Sequence, residues 1–91
     1  MNDLHEDDRR GVHAETLLKD ELLKSSFVTL RAEYLKAWEA SKYNATDDRE
    51  RLWQAVQIVG KVEAHLRAII QDGHLARAQL NRDFAPKLKR A

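Results

Sequence analysis

Cysteine is absent from the chain, which removes disulfides and thiolate metal sites. The three glycines stand apart at positions 11, 60 and 73 and there is a single proline, so no glycine-rich phosphate loop exists. No apolar run approaches the roughly 20 residues that a membrane span needs. The first residues include Asp3, Glu6, Asp7 and Asp8, which supply neither the basic nor the apolar part of a signal peptide. The expected location is cytoplasmic.

What is present suits amphipathic helices. The 91 residues are 43% hydrophobic and 34% charged, a composition with enough apolar periodicity to exclude disorder throughout. That length predicts one helical domain over residues 1–91, with ends fraying at about 1–6 and 86–91. The net charge of +1 conceals a gradient: the N-terminal acids face a C-terminal segment bearing Arg77, Arg82, Lys87, Lys89 and Arg90.

Two segments carry clear helical periodicity. Leu23, Phe27, Leu30, Tyr34 and Trp38 step by three or four and keep one stripe on a helix, leaving Lys24, Arg31, Glu33, Lys36 and Glu39 on the solvated face. Leu52, Val56, Val59, Val62 or Glu63, Leu66, Ile69 and Ile70 repeat the pattern. Between them, Ser41 to Thr46 are poor helix formers. Asp47 with Glu50 reads as a capping box, with Thr46 a rival cap one residue earlier. Gly73 suits the left-handed position that ends a helix. The fold expected is all-α, an antiparallel helical hairpin of about 21–42 and 47–72 within a small bundle. Short flanking helices are expected over about 7–19 and after Gly73, the latter ended or kinked by Pro86. Asp20 either caps a new helix or lies on a continuous one.

No constellation of catalytic groups emerges, and no catalytic residue, cofactor or metal is expected. His5, His13, His65 and His74 are never three or four residues apart, so no helical metal pair exists, and surface roles account for them. The remaining signals concern contact. Gly60 lies inside a helix, where glycine costs about 1 kcal/mol relative to alanine; it is either a tolerated surface glycine or, with Ala64, a notch for a crossing helix. Trp53 points about 100° away from the hairpin seam, towards a flanking helix or an interface. Ile58, Ile69, Ile70, Val28 and Leu35 widen the apolar surface beyond one seam. Trp53, Ile58, Gly60 and Ile69 are therefore the candidate interface residues of a homo-oligomer.

The run Leu17-Leu18-Lys19-Asp20-Glu21-Leu22, Phe27 to Trp38, Arg49-Glu50-Arg51-Leu52-Trp53, Val62-Glu63-Ala64-His65-Leu66 and Gly73-His74-Leu75-Ala76 resembles short helical proteins of bacterial phages and prophages. The resemblance covers about residues 14–80 and carries no active site. It implies a phage setting, in a host cell or an assembled particle, with head assembly or genome packaging as the role and phage structural or packaging proteins as partners. The hairpin is similar to the ring-building oligomerisation hairpin of small terminase subunits. Those proteins carry an N-terminal helix-turn-helix for DNA, which the residues before Asp20 are too few to form. Head–tail adaptors fit as loosely. The helical chorismate mutases share size and helicity, but their pocket needs inward Arg and Lys, and the stripes here are apolar. A non-enzymatic, self-associating structural or packaging component is the expected function. Two alternatives stand beside it: a regulator of one protein partner, and a nucleic-acid-binding accessory using Arg77, Arg82, Lys87, Lys89 and Arg90. If the first helix lies near or extends the second, the hairpin returns the chain to the same end, and the N-terminal acids fall close to that basic segment and neutralise it.

Overall fold

A computed structural model describes the backbone of residues 3–89 and the side chains of residues 3–83. The described chain is all-α, with helices α1 (Leu4–Lys19), α2 (Glu21–Ala40) and α3 (Thr46–Lys89), and no strand among the described residues. No helix among them is long and apolar enough to cross a membrane.

Local chemistry sets the boundaries. Asp3 accepts from the His5 backbone N–H through Oδ1 at 2.9 Å, and Glu6 and Asp7 place negative charge in the first turn of α1, where the helix dipole favours it. This cap starts the helix at Leu4, three residues before the expected boundary. Asp20 is extended (φ −66°, ψ 124°), and its carboxylate accepts from Leu23 N–H at 3.0 Å. Asp20 is thus a true N-cap, and α2 is a separate helix.

The start of α3 departs from the expected capping box. Ala45 N–H bonds to Lys42 O at 3.0 Å and Arg49 N–H to Ala45 O at 3.0 Å. That turn draws the chain into helix one residue early, so Thr46 and Asp47 lie inside the first turn, with Asp47 and Asp48 as its acids.

α3 then runs for 44 residues, through Gly73 and past Pro86. No glycine among the described residues has positive φ, so Gly73 does not terminate a helix. The short terminal helix expected after it is the continuation of α3. Gly73 is instead buried, because its missing side chain lets another backbone approach.

The chain divides into two compact units, one joining α1 up to Leu18 with α3 from His65, the other spanning Lys19–Ala64. In the second unit, Arg49, Ala55 and Gly60 of α3 are partly covered beside a stripe of Leu52, Val56, Val59 and Glu63. Their steps of four, three and four resolve the choice between positions 62 and 63 in favour of the acid, leaving Val62 46% exposed. On α2 the covered stripe is Leu23, Phe27, Arg31, Tyr34 and Trp38, with Ser26 and Leu35 partly covered beside it. Leu30, expected in that stripe, is 40% exposed, while Arg31, expected on the solvated face, forms an ion pair with Glu63. Steps of four, four, three and four select Arg31, and a carboxylate across from it makes the charge tolerable there.

Candidate interaction surface

The turn between α2 and α3 is built around Arg49. Its Nη1 donates to Trp38 O at 3.0 Å, Ser41 O at 3.2 Å and Ser41 Oγ at 2.8 Å, and its guanidinium lies 4.2 Å from the Trp38 ring centroid. The last turn of α2 holds no basic residue of its own. Arg49 therefore supplies both the donors for the orphan carbonyls and the positive charge that a helix C-terminus attracts. Stacking on Trp38 adds a cation–π term of about 0.5–1 kcal/mol at a partly exposed site.

This clamp holds the aromatics in an open hollow of about 550 Å³ lined by Trp38, Tyr43, Thr46, Arg49, Glu50 and Trp53. Glu50 and Trp53 also line a second hollow, of about 460 Å³, with Gln54, Gln57, Ile58 and Lys61. A third, of about 450 Å³, lies on α2 among Leu22, Ser25, Ser26, Thr29 and Leu30. There the Ser25 and Ser26 hydroxyls both donate to Leu22 O, at 3.0 and 2.7 Å, so their polar demand is met within the helix.

The unit containing α1 has a different character. Gly11, Ala14, Gly73 and Ala76 are buried there. A Cβ built on Gly11 would fall 2.8 Å from Gly73 Cα and 3.2 Å from Ile69 O; one built on Gly73 would fall 2.8 Å from Gly11 Cα and 3.0 Å from Asp7 O. The two backbones touch, and alanines three residues along each helix pack beside the crossing. Two polar contacts flank it. Arg77 donates through Nε to Asp8 Oδ1 at 3.0 Å, with Nη2 2.9 Å from the same oxygen, and His74 Nε2 lies 3.5 Å from Glu15 Oε2.

Of the candidate interface residues, Trp53 (48% exposed) and Ile58 (59%) come together on the second hollow. Gly60 is half-buried, and a Cβ there would meet nothing within 4 Å, so no helix among the described residues fills the notch. Ile69 is half-buried in the other unit, where its carbonyl adjoins Gly11. Among the basic residues, Arg77 is held by Asp8 and Arg82 is exposed. The side chains of Lys87 and Lys89, and all of Arg90, lie outside the described residues. No group of three His, Asp or Glu among the described residues is placed to hold a metal ion.

Sequence reasoning missed the Gly11–Gly73 crossing and the Arg49 clamp. The first had a signal, a glycine followed three residues later by alanine in both helices, at 11 and 14 and at 73 and 76. The second had none, since one arginine among many carries no mark of its partner. No known protein family matches the chain, nor does any curated protein or solved structure.

Proposed function

We propose that this chain is a non-enzymatic helical assembly protein that completes its core by self-association. The carrying observation is how little the described residues bury. Ala14, Val59 and Ala76 are the buried hydrophobics, and no large side chain is fully buried. Meanwhile Leu22 (75%), Val28 (63%), Ile58 (59%), Trp53 (48%), Val62 (46%) and Leu30 (40%) remain exposed within Lys19–Ala64. Fully covering one such side chain contributes about 1.5–3 kcal/mol. Six that are roughly half exposed leave on the order of 5 kcal/mol unrealised, comparable with the whole stability of a small domain. A partner surface supplies what the protomer lacks.

In this reading α2 and α3 form an antiparallel hairpin. Arg31 with Glu63 and Trp38 with Arg49 support it, because earlier residues of α2 meet later residues of α3. The seven-residue period of Leu52, Val59 and Leu66 fits coiled-coil-like packing. The setting we propose is a phage-type assembly, in packaging or head morphogenesis, inside a host cell or in a particle. That part rests on the resemblance of the sequence from about 14 to 80.

Light scattering and thermal melting across a concentration series test the reading. A mass above one protomer, with a melting temperature that rises with concentration, is the expected result. A monomer that melts identically from micromolar to near-millimolar concentration overturns self-association and favours a regulator of one foreign partner.

A further inference from the structure

We infer that the exposed face of α3 between Glu50 and Lys61 pairs with the same face of a second copy, antiparallel and about a two-fold axis between Ala55 and Val56. The inference rests on the self-association just proposed and names its surface. The six residues lining the hollow are Glu50, Trp53, Gln54, Gln57, Ile58 and Lys61, at spacings of three, one, three, one and three. Read from either end the spacing is the same, and the chemistry is complementary. Turning a second α3 end over end brings Glu50 level with its Lys61, Gln54 with its Gln57, and Trp53 with its Ile58.

Helix geometry makes the match usable. Eleven residues are close to three turns, so Glu50 and Lys61 sit within about 20° of each other and roughly 16 Å apart along the axis. Each faces the opposite charge of the second copy, twice per dimer. Gln54 and Gln57 lie between them, and paired amides satisfy one another's donors and acceptors. Trp53 and Ile58 flank this strip on opposite sides, about 140° apart. A two-fold keeps each flank on its own side, so the two Trp53 rings line one edge and the two Ile58 side chains the other.

The groups are available for such a contact. Lys61 makes no ion pair among the described residues, and the Glu50 carboxylate is engaged by Gln54 Nε2 at a long 3.3 Å. Trp53 and Ile58 keep about half their surface in solvent. The hollow on α2 offers no such complement, since Leu22, Ser25, Ser26, Thr29 and Leu30 carry no charge. An isologous pair needs a self-complementary patch, and the α3 face meets that condition.

Charge reversal in the full chain tests the pairing by sedimentation equilibrium, with circular dichroism and melting at low concentration to verify folding. Glu50→Lys and Lys61→Glu each replace two attractions by two repulsions, and each is expected to weaken association roughly tenfold or more. The double variant, Glu50→Lys with Lys61→Glu, restores the complement and is expected to recover most of that loss. Single variants that weaken association without rescue in the double overturn the Glu50–Lys61 pairing. An oligomer indifferent to all three variants overturns this face while leaving self-association standing. A wild-type monomer at every concentration overturns both.

Discussion

Alanine at Gly60 and alanine at Gly73 are the same substitution in the same helix, yet they are expected to have opposite effects. In a helix interior the change from glycine stabilises by about 0.5–1 kcal/mol through backbone entropy. At Gly60 nothing lies within 4 Å of the new methyl group, so that gain is realised. It corresponds to a rise in melting temperature of roughly 2–8 °C for a domain this size. At Gly73 the methyl group meets Gly11 Cα at 2.8 Å and Asp7 O at 3.0 Å. Both are backbone atoms, with no flexible side chain to give way, so α1 and α3 must separate locally.

Separation costs the close packing of Ala14 and Ala76 and stretches the Asp8–Arg77 contact. Overpacking of this kind costs about 1–3 kcal/mol, more than the entropy gained. A net loss of about 1–2 kcal/mol is therefore expected for Gly73→Ala, and for Gly11→Ala, whose methyl group would meet Gly73 Cα and Ile69 O. Thermal melting at low and high protein concentration reads both effects. Equal stabilisation at positions 60 and 73 refutes the backbone crossing. A loss at Gly60 seen only at high concentration would place a second chain over it, as a notch requires.

Arg31→Asp is expected to destabilise by about 1–3 kcal/mol because it leaves two carboxylates facing each other at a half-buried position; chemical denaturation measures it, and a change below about 0.5 kcal/mol would return Arg31 to the solvated face. Arg49→Ala is expected to cost about 1–2 kcal/mol by uncapping α2 and unstacking Trp38, with a shift in tryptophan fluorescence that a surface substitution would not give. Removing residues 82–91 is expected to abolish any weak, sequence-independent DNA binding, itself lost by about 0.2 M salt; a gel shift unchanged by the truncation would acquit the tail.

The all-α class is legible from periodicity, because a stripe repeating every three or four residues has few other ways to be buried; the number of helices is not, since the segments expected on either side of Gly73 are one helix, α3. The break at Asp20 was visible as an alternative, and only backbone geometry resolved it. Positions 30 and 31 were harder. Either completes a helical stripe from Phe27, and hydrophobicity favours leucine. Glu63 reverses that preference, since a carboxylate in the facing stripe makes arginine the better neighbour.

The helix stop expected at Gly73 fails for a related reason. A glycine near the end of an apolar run signals a stop, and a glycine inside one signals a notch. By those rules Gly73 ends a helix, while Gly60 is either a notch for another helix or a tolerated surface glycine. The structure gives the close approach to Gly73, because Gly11 and Ala14 on α1 offer the matching absence of side chains. A contact between two small-residue patches is a property of the pair, so neither helix announces it alone.

The charge gradient shows how far a sequence-level field argument reaches. The N-terminal acids and the C-terminal bases were expected to meet if the helices returned to a common end, and Asp8 holds Arg77. That pair is substantially exposed and contributes little to stability. Its consequence is electrostatic: a guanidinium engaged by a carboxylate presents less field to a phosphate backbone. Of the five basic residues, Arg77 is thus committed, and Arg82 has Asp83 beside it in sequence. Phosphate binding by such a segment grows with the number of counterions released, and each internal pair subtracts one. Any nucleic-acid binding by a single protomer is therefore expected to be weak, and an assembly that repeats the segment many times is the arrangement in which multivalency would restore it.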